Sequence, residues 1–228
     1  MGVNAIARAI KRTPSSCFNI LKTLVAEQVV EFDCDTKAYY LGRGMGVIAR
    51  HAMDPNATYT WMRHRIERLA DDWSLTVALW RVVHDSRLVL IGYTTAATSL
   101  RIHLTIGQRQ PLLAGATGQC IAALSTMSDE QIAAAFPELR WDDPPTLSEY
   151  MHQIDQARLR NWGFDDGRFQ RGVTSIATSI VDGTNRICYC LSATMFAGQL
   201  PTDKLHDLAA ELLDMSSWAT RELMPLNN

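Results

Sequence analysis

Ser15, Ser16, Asn19, Lys22 and Thr23 recur at helical spacing within the segment TPSSCFNILKTLVA. Residues on a helix advance by about 100°, so these side chains and Ala26 fall on one arc. Cys17, Ile20, Leu21 and Leu24 fall on the other, at i, i+3, i+4 and i+7. No acid interrupts the polar arc. Such a face suits a polyanion, because amides and hydroxyls read base edges and a lysine neutralises phosphate. A solvated surface helix carries the same pattern, so the neighbouring segments decide between the two readings.

Two further groups carry chemistry. Ser175 and Ser179 lie in one apolar strand-like run and Ser192 and Thr194 in the next; each pair shares a strand face. Such hydroxyls need partners, either from a ligand or from one another across a sheet. Gly115, Ala116, Thr117 and Gly118 precede an apolar helical run. A helix starting there offers N–H groups to an anion, and a tight packing turn is the other reading.

Catalysis is not expected. The sequence has no GxSxG, no Cys/His motif and no phosphate loop, and His84 and His103 read as structural. Its six histidines form neither HxxxH nor HExxH, so no metal and no cofactor is expected. Five cysteines without a CxxC pair, and no signal peptide, fit a reduced cytoplasmic setting. Cys188 and Cys190 read as small apolar strand residues. No apolar run approaches the roughly 20 residues that cross a bilayer.

The 228 residues suffice for one large or two small domains, and 47% hydrophobic content supplies a core. Residues 1–44 hold six of the 22 Lys and Arg against four of the 24 Asp and Glu, so a slightly basic first segment precedes an acidic remainder. That asymmetry suits a nucleic-acid-facing first segment.

Around the polar helix, Val3, Ile6, Ala7 and Ile10 repeat the apolar spacing, and KRT supplies a short break between two helices. Thr13 is the expected N-cap, with Pro14 at the first helical position. VVEF and KAYYL follow as strands joined by DCDTK, a tight hairpin composition. Two helices and a hairpin describe a winged helix–turn–helix over 1–43. Val47, Ile48 and Ala52 predict a short linker helix within 44–57 that stops before Pro55.

The second domain is expected over 58–228. A helix from Thr58 to Trp73 places Trp61, Ile66, Leu69 and Trp73 toward one side, and LTVALWRVV, RLVLIGYTT and LRIHLTI read as antiparallel strands. Capping boxes at Ser128/Gln131 and Thr146/Glu149 start two helices, the second closed by Gly163. TSIATSIVD and NRICYCLSAT are strands flanking a turn at Gly183. A last helix runs from Thr202 to Leu223, with Leu205, Leu208, Leu212 and Met215 inward. The order predicts an α+β domain with helices on one sheet face and room for a ligand between sheet and loops.

NAIARAIKRTPSSCFNILKTLVAEQVVEFDCDTKAYYLG resembles the DNA-binding half of IclR-type regulators, with Asp35, Thr36, Lys37, Tyr40, Leu41 and Gly42 matching the wing and its exit. The resemblance continues in IGQRQPLLAGATGQCIAAL and NWGFDDGRFQRGVTSIATSIVD, so it covers nearly the whole chain. It implies a GAF-like effector-binding second domain, a linker that helps pair subunits, double-stranded operator DNA as partner, and a dimer or tetramer. Ser15, Ser16 and Asn19 would lie near bases, Thr13 at the helix start, and Arg12, Lys22 and Lys37 near phosphates. Gly115, Ala116 and Thr117 would form a pocket wall, and Asp165, Ser175, Ser192 and Thr194 would contact a small organic or aromatic acid.

Three departures stand out. Family members often carry two acids where this chain has Gly167 and Arg168. Arg168 then either attracts a carboxylate or is a solvated loop residue. Asn19 stands where arginine is frequent, exchanging a phosphate or guanine contact for an amide that reads adenine. Family members also carry a helix before the first one here, whose lack would strip Phe18 and Val25 of a packing partner. The rival expectation is therefore a small-molecule sensor whose DNA-binding domain is incomplete. Trp80, Tyr93 and Phe196 are candidate neighbours of an aromatic ligand.

Overall fold

Thr13 opens a helix as the sequence demands: its side chain accepts from the Ser16 amide at 3.3 Å, and Pro14 occupies the first turn. The computed structural model describes residues 1–45, 57–83, 87–98 and 101–223. Contacts divide the chain into two units, Met1–Ala57 and Thr58–Asn228. The expected linker helix over 44–57 lies almost wholly outside the described residues.

The first unit contains α1 (Val3–Ala9), α2 (Pro14–Ala26) and an antiparallel hairpin of β1 (Val30–Asp33) and β2 (Ala38–Leu41). Asp33 closes the hairpin, accepting from the Asp35 amide at 2.8 Å and the Thr36 hydroxyl at 2.7 Å. These bonds hold its carboxyl below the usual range, the Thr36 hydroxyl contributing most. Cys17 and Leu21 of the apolar arc are buried, whereas Ile20 is 54% exposed, as are Ile10 and Phe18 at 53%. Val25 is half-buried. The apolar stripe is thus narrower than its spacing predicts, because no described element of this unit covers its edge.

The second unit is built on a six-stranded antiparallel sheet of order β5-β4-β3-β8-β7-β6. Its strands are β3 (Thr76–Val83), β4 (Arg87–Thr95), β5 (Arg109–Pro111), β6 (Gly163–Asp165), β7 (Val173–Val181) and β8 (Ile187–Phe196). The helices are α3 (Ala57–Trp73), α4 (Gly115–Leu124), α5 (Asp129–Ala135), α6 (Leu147–Arg160) and α7 (Thr202–Leu223). Both predicted capping boxes form, at Ser128/Gln131 and Thr146/Glu149.

Helices cover both faces of this sheet, not one. Val77, Leu79, Ile176, Ile180, Leu191 and Met195 pack with Met62, Ile66 and Leu69 of α3 and with Leu208 and Leu212 of α7. On the opposite face Ala78, Trp80 and Cys190 meet Ile121 of α4, and Ala177 meets Ala116 and Cys120. Alternate residues on both faces are apolar, and each face needs a cover. Trp61 also leaves the predicted inner side of α3; it is 41% exposed and stacks on Trp218 at 4.2 Å between ring centroids.

Two other expectations are corrected. LRIHLTI forms no strand over 101–106; the chain turns at Thr105–Gln108 and closes onto β4 through Gly107 N–H to Leu90 O, 2.8 Å, and Leu90 N–H to Gln108 O, 3.0 Å. Its alternation instead places Leu104 over a cavity. Helix α6 ends at Asn161 in the left-handed conformation (φ 63°), not at Gly163. Gly163 is required elsewhere, since a Cβ on it would sit 2.1 Å from the Ala116 carbonyl oxygen.

Gly118 is the tightest point, where a Cβ would lie 2.0 Å from the Leu113 carbonyl carbon. Gly118→Ala is expected to destabilise the second unit by about 1 to 3 kcal/mol as backbone shifts to admit the methyl. A lowered denaturation midpoint at unchanged slope in urea unfolding checks this.

Candidate functional site

Helix α4 starts against the sheet, and the gap it leaves there is a chamber of about 70 Å³. Trp80, Ala114, Gly115, Ala116, Thr117, Asp165, Phe169, Ser175, Ser192 and Thr194 are among its walls. Strand register explains the polar wall: Asp165 on β6 pairs with Ser175 on β7, Ser175 with Thr194 on β8, and Thr194 with Thr76 on β3. Ser192 lies two residues from Thr194 on the same face.

The roles of these groups differ. Ser192 accepts a hydrogen bond from the Trp80 indole N–H at 3.0 Å. Thr117 donates to Ala114 O at 3.1 Å and accepts from the Gln110 amide at 2.7 Å, so its hydroxyl fixes the helix start. The Ser175 and Thr194 hydroxyls make no hydrogen bond among the described residues and line the chamber. Ala114 precedes α4 without a side-chain cap, and the amides of Gly115 and Ala116 meet no acceptor among the described residues. Gly115 adopts φ +59°, a conformation glycine accepts freely, with the Phe169 ring against it.

Asp165 is 4% exposed and accepts from the Phe169 amide at 3.2 Å on both oxygens. Burial pushes its carboxyl up to about 6, overriding the backbone amides that favour the anion. The same amides tie Asp165 to the 166–172 turn, which carries Phe169 across the chamber. Phe169 in turn meets Trp141 edge-on at 5.8 Å.

Arg168 does not line the chamber, and of the candidate aromatic neighbours Trp80 does while Tyr93 and Phe196 do not. The Arg168 guanidinium faces Glu149 at 3.7 Å and Asp166 at 4.0 Å, which draws it to the start of α6. Phe169, Gln110 and Leu104, missed by sequence reasoning, do line it. The only advance signal for Phe169 is its place between Gly167 and Gly172, both of positive φ. The Cys120 thiol has a structural role, donating to Ala177 O and accepting from Gly163 N–H, each at 2.9 Å. Burial pushes the Cys190 thiol up to about 12. No cluster of metal-ligating side chains occurs among the described residues.

In the first unit, Arg12, Thr13, Ser15, Ser16, Asn19, Lys22 and Lys37 are all exposed. Thr13 and Ser16 bond each other at 2.9 Å, which leaves Ser15, Asn19 and Lys22 as the open groups of the polar arc. Lys37 takes φ +53° at the end of the hairpin turn.

Residues 52–220 match the family described as bacterial transcriptional regulator IclR C-terminal. The chain belongs to the IclR family. Among relatives of this IclR-family chain, the HTH-type transcriptional regulator BhcR of Paracoccus denitrificans is 28% identical over 188 residues, covering 78% of this chain and 64% of that regulator. The probable transcriptional regulator SauR of Cupriavidus necator is 23% identical, covering 93% of this chain and 85% of its own. An IclR homologue of Microbacterium hydrocarbonoxydans, solved with 4-hydroxybenzoate, shares the fold at TM-score 0.63 and 14% identity over 98% of this chain and 91% of its own. No helix among the described residues is long and apolar enough to cross a membrane.

A carboxyl raised in the folded state binds more protons there than when unfolded, so its contribution to stability is fullest in acid and falls as pH rises toward 6. Asp165→Asn removes that dependence. Relative to the parent, the variant is expected to gain about 1 to 3 kcal/mol on going from pH 4 to pH 8, read from paired urea titrations.

Proposed function

We propose that this protein is a transcriptional regulator that binds duplex operator DNA through α2 and responds to a small organic acid held in the chamber of the second unit. The observation that carries the effector reading is the pairing of uncapped α4 amides with partnerless Ser175 and Thr194 hydroxyls in one small pocket. Helix-start amides favour an anion, and the hydroxyls complete its hydrogen bonding. Asp165 opposite accepts from an effector hydroxyl or, when protonated, donates to an effector oxygen. A volume of about 70 Å³ holds on the order of five waters, which matches an acid of a few heavy atoms. An aromatic acid needs Phe169 or Leu104 to move aside.

The DNA reading rests on the acid-free, exposed arc of α2, with its N-cap bonded and its Ser15, Asn19 and Lys22 side chains open. Ser15, Ser16 and Asn19 would meet base edges, and Arg12, Lys22 and Lys37 phosphates. As a dimer or tetramer, the protein would place two such helices on half-sites one helical turn apart. An effector that alters their spacing by a coupling of about 1 to 3 kcal/mol changes operator affinity 5- to 150-fold. Exposure of Phe18 and Ile20 favours a second reading, a sensor that does not bind DNA by itself.

Two experiments test these readings. In a thermal-shift screen of two- to eight-carbon carboxylic acids, a binding acid should raise Tm, and Ser175→Ala with Thr194→Ala should weaken its binding by about 1 to 3 kcal/mol. A melting shift that survives the double substitution removes those hydroxyls from the site. For DNA, Lys22→Ala should lower the salt slope of binding to a random duplex by about one. Absence of any duplex binding by the parent protein supports the sensor reading.

A further inference from the structure

The hydroxyl row does not stop at the chamber. Beyond Thr194 it continues through Thr76 on β3 to Thr95 on β4, whose hydroxyls lie 3.1 Å apart. Strand spacing makes this a path of about 10 Å across the sheet. Thr194 lines both the chamber and a neck of about 10 Å³, and the neck shares Thr95, Arg101 and Ile102 with an outer cleft of about 500 Å³. Tyr93 and His103 complete the described cleft wall, the Tyr93 hydroxyl lying 3.5 Å from the His103 ring nitrogen. Among the described residues no carboxylate lines cleft or neck, and Arg101 has no ion-pair partner there.

Resting on the effector reading above, we propose that the Arg101–His103 cleft is a receiving site for the effector's acid group, joined to the inner chamber by the threonine row. An anion is attracted by the guanidinium, fixed by its two-pronged donors and by the Tyr93 and Thr95 hydroxyls, and handed along Thr95, Thr76 and Thr194 to the α4 amides. The neck admits less than one water's space, so transfer along this route requires side chains there to part, and the outer site raises the local concentration of anions beside the chamber. Arg101 is then a selector of charge on entry, distinct from the groups that hold the bound effector.

The test needs no identified effector. Trp80 reports on the chamber, and its fluorescence is isolated by subtracting a Trp80→Phe protein whose folding is checked by circular dichroism. Iodide serves as the anionic quencher and acrylamide as the neutral one. The expected result is that Arg101→Gln lowers iodide quenching of Trp80 at low ionic strength by about threefold or more, leaves acrylamide quenching unchanged, and loses its effect in high salt. Equal iodide quenching in parent and Arg101→Gln overturns the receiving site while leaving the chamber intact. A Trp80 unreached by either quencher overturns both the receiving site and the effector reading. His103→Gln, which keeps a polar side chain, should produce the smaller of the two losses, and an effect from His103 alone assigns the role away from Arg101.

Discussion

Helix α4 is held against the sheet as closely as backbone atoms permit, and the rest of the second unit depends on that approach. Glycine at 118 lets the helix start touch the Leu113 carbonyl, and glycine at 163 lets β6 touch the Ala116 carbonyl. The Cys120 thiol bridges Gly163 N–H and Ala177 O, and Tyr150 of α6 donates its hydroxyl to Leu113 O behind the turn. These contacts fix where the uncapped amides of α4 lie relative to the Ser175–Thr194 wall. They also anchor the α4 and β6 sides of a space of only about 70 Å³, while Leu104 and Phe169 close it from loops.

The sheet divides its labour by face. Toward α3 and α7 it is mainly apolar, a continuous core interrupted by Thr174 and the fully buried Thr178. Toward α4 the same strands alternate small apolar residues with hydroxyls, which leaves room for polar contact without opening the core. Trp80 joins the two properties, its ring packed among Leu88, Leu90 and Ile121 and its N–H engaged by Ser192.

Local signals carried much of this architecture into the sequence. Period-two alternation placed Ser175, Ser192 and Thr194 on strand faces, and the capping boxes marked α5 and α6. The limits are equally local. LRIHLTI has the alternation of a strand, yet Gly107 and the Gln108 side chain turn the chain before a ladder forms. Two covered faces look like one from a single chain of letters when, on β7 and β8, the second face is lined mostly by small residues and hydroxyls instead of large apolar side chains. The orientation of Arg168 depended on Glu149, nineteen residues away, and the position of Phe169 on a turn defined by two positive-φ glycines. Pairwise tertiary choices of this sort leave no periodic trace.

Gln119 shows what the close approach of α4 achieves at the sheet margin. Its side-chain amide donates to Phe164 O at 2.8 Å and accepts from Phe164 N–H at 2.9 Å, the bonding pattern of a neighbouring strand. With β6 at the end of the strand order, this glutamine occupies the backbone groups that an incoming chain would seek. One side chain thus seals that border against edge-to-edge polymerisation.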